Sequence, residues 1–402
     1  MNPQSARNGF KGHVLIIGGG IGGNSLALFL HQVGISSTVY EAYAYKDAVG
    51  GGLGLAPNGM NVLAALGLAE EVKARGTLNV ENCFYNERGR VLARYKNGTV
   101  KQYGQPGVSL TRASLHDILT EAAKKQGIQI EYQKRLQNVT DNGNKVIAHF
   151  EDGTQAEGDL LIGADGIHSK TRQVVFPEAP KPAYVGIIGV GGFVPAADVP
   201  PMSLREKQSF CFTFGPNGFF GYCGGDKGDM MWWSNMQREK ELTPQQLADL
   251  SLDNLKQEML TTYAGYHEPI QTLIRNTTTP FKINVSDILS LSTWHKGRVT
   301  LIGDAAHAVS PNAGQGASMA LEDAMLLGKL LGQSANYEQV FEQFEQARKP
   351  RVERIVAEGR RRGDDKLVVT PLQSKIREVM LMIFMNLFGE KGQDWLYSYK
   401  VS

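Results

Sequence analysis

The sequence predicts an α/β fold in which a parallel-sheet unit is interrupted by a β-rich insertion, then resumed and closed by C-terminal helices. Three observations lead there. Residues 13–41 read as strand, glycine turn, helix and second strand. Residues 183–236 change to a Gly- and Phe-rich alternation, the mark of antiparallel strands. Beyond Ala317 the pattern is helical almost to the end.

Val14-Leu15-Ile16-Ile17 is an unbroken apolar run, as a strand buried on both faces requires. Leu26, Leu30 and Val33 then recur at helical spacing, Gly34 ends that helix, and Thr38-Val39-Tyr40 forms a second strand. Helices are expected near 59–65 and 69–74, followed by a β-meander over 82–103 that turns at Asn86-Glu87-Arg88-Gly89. Residues 111–126 read as a helix with Ser114 and Asp117 at capping-box spacing. Strands follow at 145–150 and 159–163, with Asp152-Gly153 as a hairpin turn. Inside the insertion, Phe210, Phe212 and Phe214 alternate with Cys211 and Thr213. Helices near 244–258 and 266–274 lead to a strand and loop over 297–316, and Pro350 and Pro371 are expected to break or kink the helices beyond. The first eight residues are polar and expected to lack ordered structure.

Composition narrows the function classes. Hydrophobic content of 42% and charged content of 20% are those of a globular protein. A formal net charge of +2 gives no support to nucleic-acid binding. No run of about 18 apolar residues predicts a membrane span, and Val14–Ile17 is too short for a signal peptide. Cys83, Cys211 and Cys223 are far apart and form no C-x-x-C. Neither a disulfide frame nor a metal site is therefore expected, and the chain reads as cytoplasmic.

The residues most informative about chemistry are the glycines after the first strand. Gly18, Gly20 and Gly23 form G-x-G-x-x-G between a strand and a helix. That arrangement lets a pyrophosphate approach free N–H groups at the positive end of a helix dipole. Glu41 ends the second strand where an acid holds a ribose 2′-hydroxyl, which favours NAD or FAD over NADP at this site. Gly189-Val190-Gly191-Gly192 lies in a β run with no helix after it, so it is not a second nucleotide site.

Two further segments join this fingerprint in register: Gly163–Arg172 (GADGIHSKTR) and Gly303–Gly316 (GDAAHAVSPNAGQG). Together the three resemble the single-component, group A flavoprotein monooxygenases of the para-hydroxybenzoate hydroxylase fold. The order and spacing agree along nearly the whole chain. Gly51–Asn58 (GGLGLAPN) is similar to a loop of that family, and the Pro57-Asn58-Gly59-Met60 helix start and the ending Trp395–Tyr399 most resemble its salicylate- and urate-hydroxylase branch.

The resemblance implies a Rossmann-like FAD-binding domain of the GR2 type built from residues 10–75, 104–178 and 276–350. A substrate domain would comprise 76–103 and 179–275, with a C-terminal helical segment at 351–402. It implies FAD as cofactor and NADPH or NADH as transient co-substrate. Hydride transfer reduces the flavin, O2 forms a flavin hydroperoxide, and its distal oxygen passes to an aromatic or other electron-rich, fairly apolar small molecule. Asp304 would hydrogen-bond the ribityl and pyrophosphate region. Asp165 and Gly166 would support FAD and the passage of the nicotinamide, and Arg112 would lie near the flavin. Pro311, Gly314 and Gly316 would lie against the isoalloxazine ring, where the helix start near Ala317 favours negative charge on the reduced ring. No protein nucleophile or metal is implied. A related epoxidase, reductase or halogenase is the alternative, although Met230–Ser234 does not match the halogenase W-x-W-x-I-P. A flavin-binding interaction protein without turnover is the alternative outside enzymes. The chain is expected as a monomer or homodimer.

Some residues carry a plainer reading. His307 is expected to pack behind the flavin loop. Arg172 is read as a surface charge or a cofactor ligand, and the basic residues from Arg348 to Arg362 as a solvated helix face. Val379–Phe388 is too short to span a membrane and reads as core or dimer packing. An apolar, aromatic pocket lining is expected from Phe212, Phe214, Phe220, Tyr222 and Trp233. Lys227 is the only basic residue among 208–236, so no arginine clamp is expected there.

Overall fold

The computed structural model describes residues 9–44, 51–364, 366 and 368–401; the expectation for residues 1–8 lies outside them. The strand His13–Ile17 sits inside a six-stranded sheet, ordered 295–296, 299–301, 160–163, 13–17, 36–40 and 129–131. Every pairing is parallel except that of His295–Lys296 with its neighbour. The unbroken apolar run is explained by cover on both faces. Val14 and Ile16 enter the main helical core, while Leu15 and Ile17 meet Leu136, Val146 and Phe150 of a three-stranded meander.

The insertion contributes to a seven-stranded sheet, ordered 279–287, 183–194, 230–237, 218–224, 209–215, 81–86 and 91–96. It is antiparallel except for one pair, Ser209–Gly215 beside Glu81–Asn86. That parallel pair arises because the early hairpin joins the sheet from more than a hundred residues upstream. A smaller sheet of 52–55, 107–111 and 77–79 lies between the two units.

Local expectations fail at four places, each for a tertiary reason. The helix Arg112–Lys125 is capped by Thr111, whose hydroxyl accepts from Ser114 N–H. Ser114 instead donates its own hydroxyl proton to Asp226, 2.7 Å away, so no capping box forms with Asp117. The meander ends in a short helix, Val100–Tyr103, capped by Thr99. The helix expected over 244–258 is two, Pro244–Asp249 and Leu252–Thr262, because Ser251 caps the second. Pro350 lies inside the unbroken helix Tyr337–Asp364, whereas Pro371 opens a new one at its first turn, where no N–H is needed.

The helix survives Pro350 because its flanks are anchored. Arg348 is fully buried and ion-paired to Glu322 and Asp323, each at 2.6 Å, and Arg351 pairs with Glu322 at 2.9 Å. Arg351 also lies 3.9 Å from the centroid of the Tyr399 ring, and Arg354 at the same distance from Trp395. Arg360 grips the buried Asp287 at 2.5 Å. The basic stretch read as a solvated face is thus buried only at Arg348 and half-buried at Lys349, Arg351, Arg360 and Arg362, where acids and aromatics, several of them from elsewhere in the chain, partner much of it. Arg354 and Arg361, the latter paired with Glu358, stay exposed.

Burial alone would lower the pKa of Arg348, but the two acids more than reverse that. Burial likewise raises Asp323, yet His307 and Arg348 bring it down to about 2. Among the described residues no helix is long and apolar enough to cross a membrane.

Arg348→Ala leaves the buried Asp323 with only His307 and the buried Glu322 with only Arg351 as cationic partners, and is expected to lower stability by about 3–5 kcal/mol, read by urea unfolding at pH 7. The depressed pKa of Asp323 means that its contribution is present above the unfolded value near 3.9 and fades as pH falls towards 2. The gap between wild type and Arg348→Ala is expected to narrow over that acid window.

Candidate active site

Parallel register brings the three segments together. Ile17 pairs with both Tyr40 and Gly163, and Gly163 pairs with Leu301, so four strands end side by side. Their carboxyl ends deliver Gly18, Glu41, Asp165 and Asp304 to one edge, the crevice where open α/β sheets bind ligands. Backbone hydrogen bonds lock this edge: Gly18 N–H to Tyr40 O at 2.8 Å, Ala164 N–H to Ile17 O at 2.7 Å, and Ile302 N–H to Gly163 O at 2.9 Å.

The fingerprint glycines have distinct reasons. A Cβ on Gly18, at φ +104°, would lie 2.5 Å from Ala164 O, and one on Gly23 would lie 1.9 Å from Gly18 O. A Cβ on Gly20 would meet nothing within 4 Å, which leaves its face open beside the start of the helix Ile21–Gln32. Glu41 accepts from Gly19 N–H at 2.7 Å and holds the loop closed. Three residues outside the motif also hold it. Asn24 donates to Gly19 O at 2.7 Å and to Thr120 Oγ1 at 3.0 Å, and His116 Nε2 lies 2.9 Å from the same carbonyl. Their signal is weak, because only the pairing of distant helices reveals it.

Asp165 turns inward. Its carboxylate accepts from Ser169 Oγ at 2.5 Å and from Thr171 N–H and Oγ1 at 2.9 and 3.0 Å, so it shapes the turn after its strand. Burial raises its pKa against those hydrogen bonds. Arg172 is buried, not a surface charge. It donates to Ala305 O at 2.8 Å and Ile167 O at 2.5 Å, stitching the second segment to the third.

Asp304 is half-buried at the start of a short helix, and Arg112 is exposed at the start of another. Neither side chain has a hydrogen-bond or ion-pair partner among the described residues. His307 is buried behind the loop with Nε2 2.6 Å from Asp323, which also accepts from Gly303 N–H at 2.9 Å. Pro311 begins a single 3₁₀ turn that ends at Gly314, φ +63°, where a Cβ would meet nothing within 4 Å; Gly316 then opens the helix to Gln333. Gln315 is fixed from behind by Asn58, 3.0 Å away.

The seven-stranded sheet roofs this loop, and strand alternation sorts the expected aromatic lining. Phe212, Phe214 and Trp233 share a face with Phe210 and Phe219, and Asn235 of that face reaches Asn312 at 3.3 Å. Phe220 and Tyr222 point the opposite way. They are buried in a core with Tyr263 and Leu273 of the helices beyond, Phe220 stacking on Trp232 at 5.1 Å. They are therefore core residues and not pocket lining, because residues one apart on a strand face opposite sides. The roof also receives a cation from far along the chain. Lys366 Nζ lies 4.3 Å from the Phe219 ring centroid and 2.8 Å from Asn312 Oδ1.

A family model described as "FAD binding domain" matches residues 11–359. The chain belongs to that family. It is 30% identical over 351 residues to the 6-hydroxynicotinate 3-monooxygenase of Pseudomonas fluorescens, covering 85% of this chain and 89% of that one. A 3-amino-4-hydroxybenzoate 2-monooxygenase of Streptomyces platensis is 31% identical over 97% of this chain and 96% of its own length. The crystal structure of Klebsiella pneumoniae HpxO complexed with FAD and uric acid matches with a TM-score of 0.84, 26% identity and coverage of 96% and 97%. The crevice fits the cofactor of this family. It has an open glycine loop at a helix start, an acid closing the second strand, and a half-buried Asp304 and an exposed Arg112 whose side chains have no protein partner among the described residues.

Phe220→Ala is expected to cost about 3–5 kcal/mol of stability, with the FAD content of the folded fraction unchanged. Denaturant unfolding together with the flavin-to-protein absorbance ratio reads both quantities. A large loss of flavin at full stability would return Phe220 to the site.

Proposed function

We propose that this protein is an FAD-dependent monooxygenase that uses NADPH or NADH and O2 to hydroxylate a planar aromatic or heteroaromatic small molecule. The observation that carries the reading is the convergence of three distant sequence segments on one sheet edge, under an aromatic roof with a polar end. The named relatives, which act on 6-hydroxynicotinate, 3-amino-4-hydroxybenzoate and, by the HpxO complex, bind uric acid, support it.

Bound FAD supplies hydride acceptance and oxygen activation, and the chain supplies everything else. Gly18, Gly20 and Gly23 with the start of their helix receive the pyrophosphate, and Glu41 accepts from a ribose hydroxyl. Asp304 accepts from a ribityl hydroxyl beside the pyrophosphate, and Arg112 sets a positive charge near the flavin. Asp165 and Gly166 hold the turn that flanks FAD. Backbone over Pro311, Gly314 and Gly316 lies against the ring, and N–H groups at the start of the helix Gly316–Gln333 stabilise negative charge there. Phe210, Phe212 and Trp233 stack on the substrate ring and exclude water, while Lys366, Asn312 and Asn235 take an ionised or hydroxyl substituent. Buried, unpaired cysteines support work in a reducing, cytoplasmic setting.

The test is oxidation of NADPH and NADH with oxygen uptake, using 6-hydroxynicotinate, 3-amino-4-hydroxybenzoate, urate and simple phenols. One of these rings is expected to stimulate both and to yield a hydroxylated product. Flavin that neither nucleotide reduces with any ring present would overturn the reading. Asp304→Ala is expected to weaken FAD retention about tenfold or more, as loss of a charged hydrogen bond does; undiminished occupancy on dialysis would count against its role. Lys366→Met is expected to raise KM about tenfold for a carboxylate-bearing ring and little for a neutral phenol. Equal effects on both would remove Lys366 from substrate selection.

A further inference from the structure

The C-terminal helix Pro371–Phe388 uses only part of its surface inside this chain. Leu381, Met382 and Met385 pack against Phe84, Leu92 and Phe214 of the seven-stranded sheet. On the other side, Leu372, Ile376, Val379, Ile383 and Leu387 recur every three or four residues and form one stripe. Met380, Phe384 and Phe388 widen it along one flank, and all eight are between 50% and 70% exposed. From Val379 to Phe388 the exposed face carries no charge.

Monomers rarely leave a contiguous apolar patch of this size in water. The eight side chains together present on the order of 800 Å², which is what one partner contributes to a standard dimer interface. The polar ends favour a second copy over a lipid surface. Lys375 is exposed near the start of the helix and Glu390 is exposed just past its end, and neither has an ion-pair partner among the described residues. A twofold axis through the middle of the stripe runs the two helices antiparallel and brings each Lys375 end to the other copy's Glu390 end. An interfacial membrane helix would instead carry rows of Lys and Arg along its polar face. Here that face is occupied by packing on the sheet.

We propose that this helix is the core of a homodimer interface, two copies of Pro371–Phe388 packing antiparallel with opposite charges at the rim. This goes beyond the catalytic reading and does not depend on it.

Sedimentation velocity of the FAD-loaded full chain, from 1 to 50 μM, tests it. A dimer is expected for wild type and a monomer for Ile383→Glu/Phe384→Glu, with the flavin spectrum retained in both. Lys375→Glu is expected to weaken the dimer at least threefold, and Lys375→Glu/Glu390→Lys to restore it. A wild-type monomer at 50 μM overturns the proposal, as does a dimer that the Ile383→Glu/Phe384→Glu variant leaves intact. Cosedimentation of a monomeric wild type with phosphatidylglycerol vesicles would assign the stripe to a membrane surface and equally overturn it.

Discussion

Asp323 and Glu322 are adjacent in sequence, both fully buried, and both paired to Arg348. Arg348 reaches them from the next helix with no exposed surface of its own. Two buried carboxylates without that cation would be prohibitively costly, so the long helix must lie where it does. Asp323 holds Gly303 N–H and His307, which sets the loop that follows the third motif strand. Glu322 holds Asn58, and Asn58 holds Gln315, which sets the other side of the same loop. The crevice thus has its floor fixed from behind by charge, leaving Asp304 on the open side without a partner among the described residues.

Above that floor the aromatic roof is a matter of strand parity. The same three strands bear Phe212 and Trp233 on one face and Phe220 and Tyr222 on the other. One face is sealed by helices over 252–275 and contributes stability; the other looks towards the loop with Pro311 and Asn312. Asn235 and Lys366 both meet Asn312, so the roof and the cofactor floor are joined at a polar corner. The roof is thus aromatic along its length and carries a cation at this corner.

The crevice was legible in the sequence because its parts are local. Gly18, Glu41, Asp165 and Asp304 each end a short apolar strand, and a parallel sheet has only one edge on which carboxyl ends meet. The pocket was less legible. Alternation places Phe212 opposite Phe220 only once pairing is known, and Lys366 lies more than a hundred residues from the roof it serves. The basic run at 348–362 misleads for the same reason: its acids and aromatics come from residues 287, 322–323 and 395–399.

What the sequence by itself determined, then, is the α/β class, the strand-turn-helix that fits a pyrophosphate, and the family to which the chain belongs. Those rest on backbone requirements that neighbouring residues settle among themselves, such as glycine where a Cβ would strike a carbonyl. Tertiary structure decided which aromatics roof the site, which charges are buried, and which face of the last helix remains uncovered. Each of these depends on partners distant in sequence, and burial is a property of the whole packed chain.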